Sequence, residues 1–190
     1  MIKHFVKSVS IVLICPLLVI FGICGLFANK TSLIMAWSQL LSLIPGKSGS
    51  FLRIAFYRFT LKKCHSEAVI YFGTLFSSWD IEIGRGVYIG ANCNIGACRL
   101  ENDVLLGSNV HIMSGKRQHD FTRLDIRIQD QGGVYEAVTV GEDTWIGNGA
   151  LVMADVGRKC VIAAGTVVTQ PIPDYSVAAG NPAEIVKQRR

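Results

Sequence analysis

Between Ile83 and Val168 an aliphatic residue returns every six positions, in rows such as IGRGVY, IGANCN, VGEDTW, IGNGAL and VGRKCV. The positions are Ile83, Ile89, Ile95, Leu106, Ile112, Val140, Ile146, Val152, Val156, Ile162 and Val168, and most are followed by Gly or Ala. A strand alternates with period 2 and a helix with period 3.6, so neither accounts for six. A solenoid with three short flat sides per coil does, at about eighteen residues per coil. The aliphatic residue points inward, and the Gly beside it is expected to allow a tight corner, often with positive φ. Two departures stand out. The polar segment SGKRQHDFTRLDIRIQDQGGVYEA (114–137) interrupts the rows, and the step from Val152 to Val156 is only four residues.

Half of the residues are apolar, which suggests a membrane segment in addition to a domain. The charge is unevenly placed. Residues 1–66 carry eight Lys or Arg and no acidic residue, whereas 67–190 carry eleven basic and fourteen acidic residues. Beside apolar sequence, such a cluster points to anionic lipid as partner. No nucleic-acid-binding motif accompanies it, and no nucleic-acid partner is expected. The six cysteines (15, 24, 64, 93, 98, 160) form no CxxC or Cys/His cluster, so buried free thiols and no metal are expected.

Residues 9–28, VSIVLICPLLVIFGICGLFA, contain no charge and meet the roughly 20-residue requirement for a spanning helix. The rivals are an interfacial or re-entrant helix, and a cleaved signal peptide. The signal peptide is disfavoured by the length of the apolar run and the lack of an A-x-A-like site. Residues 31–44 read as a second helix, capped by Thr31 or Ser32, with Leu33, Trp37, Leu40, Leu41 and Ile44 on one face. PGKSGS (45–50) reads as a turn. The basic, aromatic stretch that follows, FLRIAFYRFTLKKC, is of the surface-binding type, or an amphipathic helix packed on its own domain. This divides the chain into 1–66, a membrane anchor with a basic helical region, and 67–190, a solenoid domain with an active-site loop at 114–137 and a closing segment at 171–190.

The rows, the His119 loop and the tail QPIPDYSVAAGNPAEIVKQRR together resemble the hexapeptide-repeat acyltransferases, most closely the sugar and polysaccharide O-acetyltransferases of the maltose and galactoside acetyltransferase type. The resemblance covers roughly 70–190. It implies a mainly β fold, the left-handed parallel β-helix, although general crossover preferences favour the right hand. It also implies acetyl-CoA as donor, a sugar or glycan acceptor, and a homotrimer with sites between subunits. Residues 1–66 look like the membrane-bound polysaccharide branch. That placement implies the inner membrane of a bacterium, with the catalytic domain facing the cytoplasm.

Acetyl transfer to a hydroxyl needs a base, donors for the oxyanion and two substrates held in line. His119 falls at the family's base position, and an imidazole titrates in the right range for that task. His111 sits where side chains point outward and is expected to play a supporting part. By resemblance, Asn92 contacts the acceptor, with a corner-forming Asn as the alternative, and Asn94 is taken as the turn residue. Trp145, Arg117 and Asp120 are expected near the substrate. Gly147, Asn148, Ala163, Ala164, Gly165, Thr169, Gln170 and Lys187 are expected along the cofactor. Gln170 replaces a family Lys, and Lys187, Arg189, Arg190 or Arg158 could supply the missing charge. The alternatives are an N- or O-acyltransferase acting on a nucleotide sugar or serine, and an inactive β-helix serving as a membrane scaffold.

Overall fold

The computed structural model describes the backbone of residues 2–189 and the side chains of residues 6–189. Three helices lead into the β-helix: α1 (Ile2–Cys24), α2 (Lys30–Ser42) and α3 (Gly46–Thr60). About six coils follow, built of strands two to five residues long on three faces.

All strand pairings between coils are parallel, and the inward residues stack in register. On the first face Cys64, Ile83, Leu100, Val140, Val156 and Ile172 form the ladder. The second face stacks Ile70, Ile89, Leu106, Ile146, Ile162 and Ala178. The third stacks Phe76, Ile95, Ile112, Val152 and Val168. All eleven aliphatic residues of the repeat lie inside, none more than 2% exposed. Such continuous apolar ladders supply the main driving force for a solenoid.

Two of the three corners hold strictly to six residues. The corner from third to first face takes up all the variation in coil length. Phe76 to Ile83 spans seven residues, Ile95 to Leu100 five, Val152 to Val156 four and Val168 to Ile172 four. The long loop leaves from that same corner, between Ile112 and Val140. The four-residue step is therefore one setting of a variable corner.

The glycine beside each aliphatic residue acts differently from the sequence expectation. A Cβ on Gly147 would sit 2.5 Å from the Ala164 amide nitrogen, and one on Gly90 would sit 2.5 Å from the Gly107 carbonyl carbon. These glycines admit the next coil. Positive φ falls two residues later, on Asn92 (58°), Asp103 (59°), Asn109 (58°) and Asp143 (53°) as well as on glycines. Asn and Asp tolerate that region best among residues with side chains. The buried residue after each such corner often bonds the following coil: the Cys93 thiol donates to the Gly107 carbonyl (3.1 Å), and the Thr144 hydroxyl to that of Gly157 (2.8 Å). Cys64, Cys93, Cys98 and Cys160 are buried free thiols, as expected, whereas Cys15 is exposed and Cys24 half-buried, because both lie on α1 away from the β-helix core.

A stack of coils has an open first edge, and its unpaired backbone groups need partners. Ile70 and Phe76 turn both their N–H and C=O away from the second coil, and α2 and α3 meet them. The Ile70 amide donates to Ser50 Oγ (3.3 Å), and the Ile70 carbonyl accepts from Arg53 Nε (3.0 Å). Ser38 Oγ accepts from the Phe76 amide and donates to its carbonyl, both at 3.2 Å. This explains why α2 buries Ile34, Ser38, Leu41 and Ser42 instead of the face containing Leu33, Trp37 and Leu40. The helix is capped by Asn29, whose side chain accepts from the Ser32 amide at 2.8 Å, and not by Thr31 or Ser32. Residues 46–50, expected as a turn, are the first turn of α3. Arg53, Ile54, Phe56 and Tyr57 of α3 are buried, and the Tyr57 ring lies 4.6 Å from that of Phe76. The stretch read as surface-binding is thus the plug of the β-helix, because the open coil end demands cover.

At the other end the tail folds back antiparallel, with Glu184–Gln188 pairing on Ser176–Ala179. Arg189 Nη1 reaches the carbonyls of Asp143 (3.3 Å) and Lys159 (3.4 Å). The closing segment therefore straps several coils together.

Candidate active site

The third face leads into the long loop. Its outward residues, in order, are Leu75, Asn94, His111, Leu151 and Val167, paired strand to strand. Asn94 and His111 are neighbours and exposed. They line a shallow cleft of about 140 Å³ with Ser77, Ser114 and Gln118, at the root of the 114–137 loop. Ser114 anchors that root, because its buried hydroxyl accepts from the Ala97 amide at 2.9 Å.

The loop is a two-stranded excursion. The Glu136 amide donates to the Ser114 carbonyl (3.0 Å), Val134 to Arg117 (2.8 Å) and Asp120 to Gly132 (2.9 Å). A Cβ on Gly133 would lie 1.9 Å from the Gln118 carbonyl oxygen, so only glycine lets the two arms meet beside His119. At the tip, Gln131 braces the turn through the Arg123 carbonyl (2.7 Å) and the Arg123 amide (3.0 Å). His119 is exposed on this scaffold. Phe121 (71% exposed), Leu124 (99%) and Ile128 (57%) also face outward from the tip.

Two expected substrate residues have partners within the loop. Arg117 pairs with Glu136 at 2.7 Å. Asp120 accepts from the Thr122 amide at 2.9 Å, and that bond holds its carboxyl below the usual carboxylate range. Both set the shape of the loop that carries His119.

The expected cofactor residues line the edge between the second and third faces. Asn148, Gly149, Ala164 and Gly165 are exposed there, and a Cβ on Gly149 or Gly165 would meet nothing. The edge of the fourth and fifth coils is therefore bare, while Gly147 is small to admit Ala164. Ala163 lies half-buried behind it. Thr169 and Gln170 sit at the variable corner after Val168. Trp145 (50% exposed) is on the second face, in line with Val161, Val177 and Lys187. Arg158 pairs with Asp174 and Arg189 with Asp143, whereas Lys187 has no ion pair among the described residues. Arg190 lies outside the described residues.

Asn92 takes the corner-forming alternative, and Asn94 is not the expected turn residue. Asn92 is the corner residue, at φ 58°, with its side chain against Gly73. Asn94 is in a strand, facing the cleft. The signal lay in the register: a residue three after an inward aliphatic is a corner, and one before the next faces out. Gln118, Ser114 and Gln131 carried no such signal, since their partners are backbone groups that only the folded loop and coil bring to them: Gly115, Ala97 and Arg123. Among the described residues no group of three His, Cys, Asp or Glu side chains is placed to hold a metal ion.

A parallel three-faced β-helix with one polar histidine loop defines the class. Residues 137–170 match the hexapeptide repeat of succinyl-transferase. A probable acetyltransferase of Mycobacterium tuberculosis is 34% identical over 135 residues, covering 58% of this chain and 45% of that protein. The chain spans about half the length of the curated relatives it matches. A hexapeptide-repeat-containing acetyltransferase from Vibrio cholerae superposes with a TM-score of 0.71 at 19% identity, covering 86% of this chain and 95% of that one. A galactoside acetyltransferase in complex with coenzyme A gives 0.69 at 20% identity, covering 86% and 84%. At these identities the two structures show the fold. The chain thus carries the hexapeptide repeat and has the left-handed parallel β-helix of these acetyltransferase structures.

Proposed function

We propose that the protein transfers an acetyl group from acetyl-CoA to a sugar hydroxyl, during synthesis of a surface polysaccharide or a lipid-linked glycan. The observation that carries this reading is the histidine loop projecting from the variable corner of an otherwise regular coil stack. The likeness to a galactoside acetyltransferase holding coenzyme A supports the donor and the acceptor class.

The reaction is a direct transfer. The acceptor oxygen bonds to the acetyl carbon, the carbon–sulfur bond breaks, and the hydroxyl proton passes through His119 to the departing CoA thiolate. His119 is the general base. The cleft at Asn94 and His111, with Asn92 on the adjoining corner, receives the acceptor. The bare edge at Asn148, Ala163, Ala164 and Gly165 leaves room for the pantetheine arm, with Gly147, Thr169, Gln170 and Lys187 as further contacts. Trp145 lies on another face from the loop, so a complete site draws on a second copy of the chain. The outward Phe121, Leu124 and Ile128 support packing of the loop against that copy in a trimer. Residues 1–66 hold the assembly at the inner membrane of a bacterium, with the β-helix in the cytoplasm, where acetyl-CoA is made.

The test is His119→Ala, assayed by release of free CoA thiol with a panel of sugar hydroxyl and amino-sugar acceptors. Turnover should fall by roughly 10²–10⁴ while acetyl-CoA binding by calorimetry is unchanged. Near-wild-type turnover would sink the mechanism. Transfer to amino groups only would replace the acceptor class.

A further inference from the structure

The segment Val6–Cys24 is long and apolar enough to cross a membrane, yet its packing shows a different disposition. One side of α1 lies on the helical plug. Ser10 and Ile14 are only 5% and 1% exposed, and the Phe21 ring is 5.4 Å from Phe56 and 6.4 Å from Trp37. Nearer the N-terminus, Lys7 and Ile11 share a crevice with Phe51, Ile54, Arg58 and Ser66. From Lys7 to Phe21 is about 21 Å of helix at 1.5 Å per residue, most of the apolar stretch. Over that length α1 runs alongside α3 and the first corner of the β-helix.

The opposite side is apolar and uncovered. Val12, Leu13, Val19, Ile20 and Ile23 are 47–70% exposed, and Leu26 and Phe27 beyond the helix are 79% and 87% exposed. A helix crossing about 30 Å of hydrocarbon would draw α3, with exposed Arg58, and the irregular backbone at Ser66 and Glu67 into lipid. Irregular backbone facing lipid leaves polar groups unsatisfied. With α1 in the plane of the interface, the apolar side enters the acyl region and the plug stays in water. Charge fits the same partner, since residues 1–66 hold no acid. Arg53 is buried and Lys62 pairs with Asp80 and Glu82, but Lys30, Lys47, Arg58 and Lys63 are exposed with no ion pair among the described residues.

We propose that α1 is an in-plane interfacial helix seated on an anionic phospholipid bilayer, with both of its ends and the whole β-helix on one side. This rests on the reading of residues 1–66 as membrane-bound and replaces a spanning anchor with a one-sided one. The test uses the full chain with Cys15→Ser and Cys24→Ser, reconstituted into sealed vesicles of phosphatidylglycerol and phosphatidylcholine. Single cysteines introduced as Val9→Cys, Leu13→Cys, Ile20→Cys and Ile23→Cys carry an environment-sensitive fluorophore, quenched by lipids spin-labelled at shallow or deep positions. The expected profile is uniformly shallow at all four sites. An impermeant maleimide should also label Lys3→Cys from outside without detergent. A profile deepest at Leu13, with Lys3→Cys protected until the vesicles are opened, overturns the proposal. So does failure to bind vesicles with the chain pairing through α1, which would assign the face to a second copy. Acetyl transfer in detergent is measured on the same variants, so failure of the lipid reading and of the transferase reading are told apart.

Discussion

Arg53 offers the sharpest test of how the β-helix is sealed. Its side chain is fully buried, with Nε donating to the Ile70 carbonyl at 3.0 Å and Nη1 to those of Leu41 (3.0 Å) and Ile44 (2.8 Å). One residue thus ties the end of α2, the body of α3 and the first coil together. Nη2 has no partner, and desolvation lowers the guanidinium from its ordinary pKa, with Tyr57 pulling the other way. Two effects compete in Arg53→Met. Three charge-assisted bonds at ~1.5–3 kcal/mol each are lost, roughly 5–9 kcal/mol in all. Against this, an ion with no carboxylate partner no longer has to be desolvated, which relieves several kcal/mol.

The bonds win, because methionine leaves the buried Ile70 carbonyl and the half-buried Ile44 carbonyl with no donor, and leaves the Leu41 carbonyl only backbone amides such as that of Ile44 at 3.4 Å. A net loss of about 2–4 kcal/mol follows, and at ~2–4 °C per kcal/mol for a chain of this size Tm should fall by roughly 5–15 °C. Thermal unfolding by circular dichroism in detergent measures it, and hydrogen exchange should rise first at the end of α2 and in the first coil. Arg53→Lys keeps the charge without the planar fork and should fall between the two. A methionine variant as stable as the wild type would refute the argument, showing that the plug is held by apolar contact alone.

Other expectations concern the thiols, the asparagines and the loop. Burial pushes the Cys64 thiol up to about 12 and that of Cys93 to about 11, so the folded chain holds these protons more tightly than the unfolded one. Their contribution is fully present below the unfolded thiol pKa, near ~8.5, and is lost as pH rises toward 11–12. Tm should therefore drop between pH 9 and 11, less so in Cys93→Ala, and at pH 8 Cys64, Cys93 and Cys98 should resist a thiol reagent until the chain is denatured. Asn92→Ala should cost about 1 kcal/mol through its positive φ, with Asn92→Gly restoring Tm, whereas Asn94→Ala should lower turnover and leave Tm unchanged. Replacing residues 114–137 by a short corner like 153–155 should remove turnover and keep the β-helix. Shortening that link from 28 residues to seven should even add roughly 1.2 kcal/mol by the loop-closure relation, read as a rise in Tm.

The core was legible because a period of six leaves few ways to bury an aliphatic residue. The first coil was less so. Cys64, Ile70 and Phe76 keep the spacing, but their neighbours belong to the helical plug and lack the Gly signature. The plug itself reads as membrane-active sequence, since Phe56, Tyr57 and Arg53 in a basic segment look alike whether they meet lipid or a coil end. Only the open edge at Ile70 and Phe76 decides between them, and that edge is a tertiary fact. The candidate site divides in the same way. His119 stands out as the histidine in the break, while Asn94 and His111 become neighbours only through the register of successive coils.

That register also explains where chemistry can be placed on this fold. The two six-residue corners are locked: each inward aliphatic is followed by a residue pressed against the next coil, then by one at positive φ. An insertion at either would shift every later residue out of its ladder. The third-to-first corner varies between four and seven residues elsewhere in the chain without disturbing the stack, so it accepts twenty-eight between Ile112 and Val140. The loop bearing His119 therefore stands at the one corner that can accept it. Because the third face ends at that corner, Asn94 and His111 lie at the loop's root through the geometry of the coil alone. A catalytic excursion on such a scaffold is confined to one edge, and the tolerance of that edge is visible in the short step after Val152.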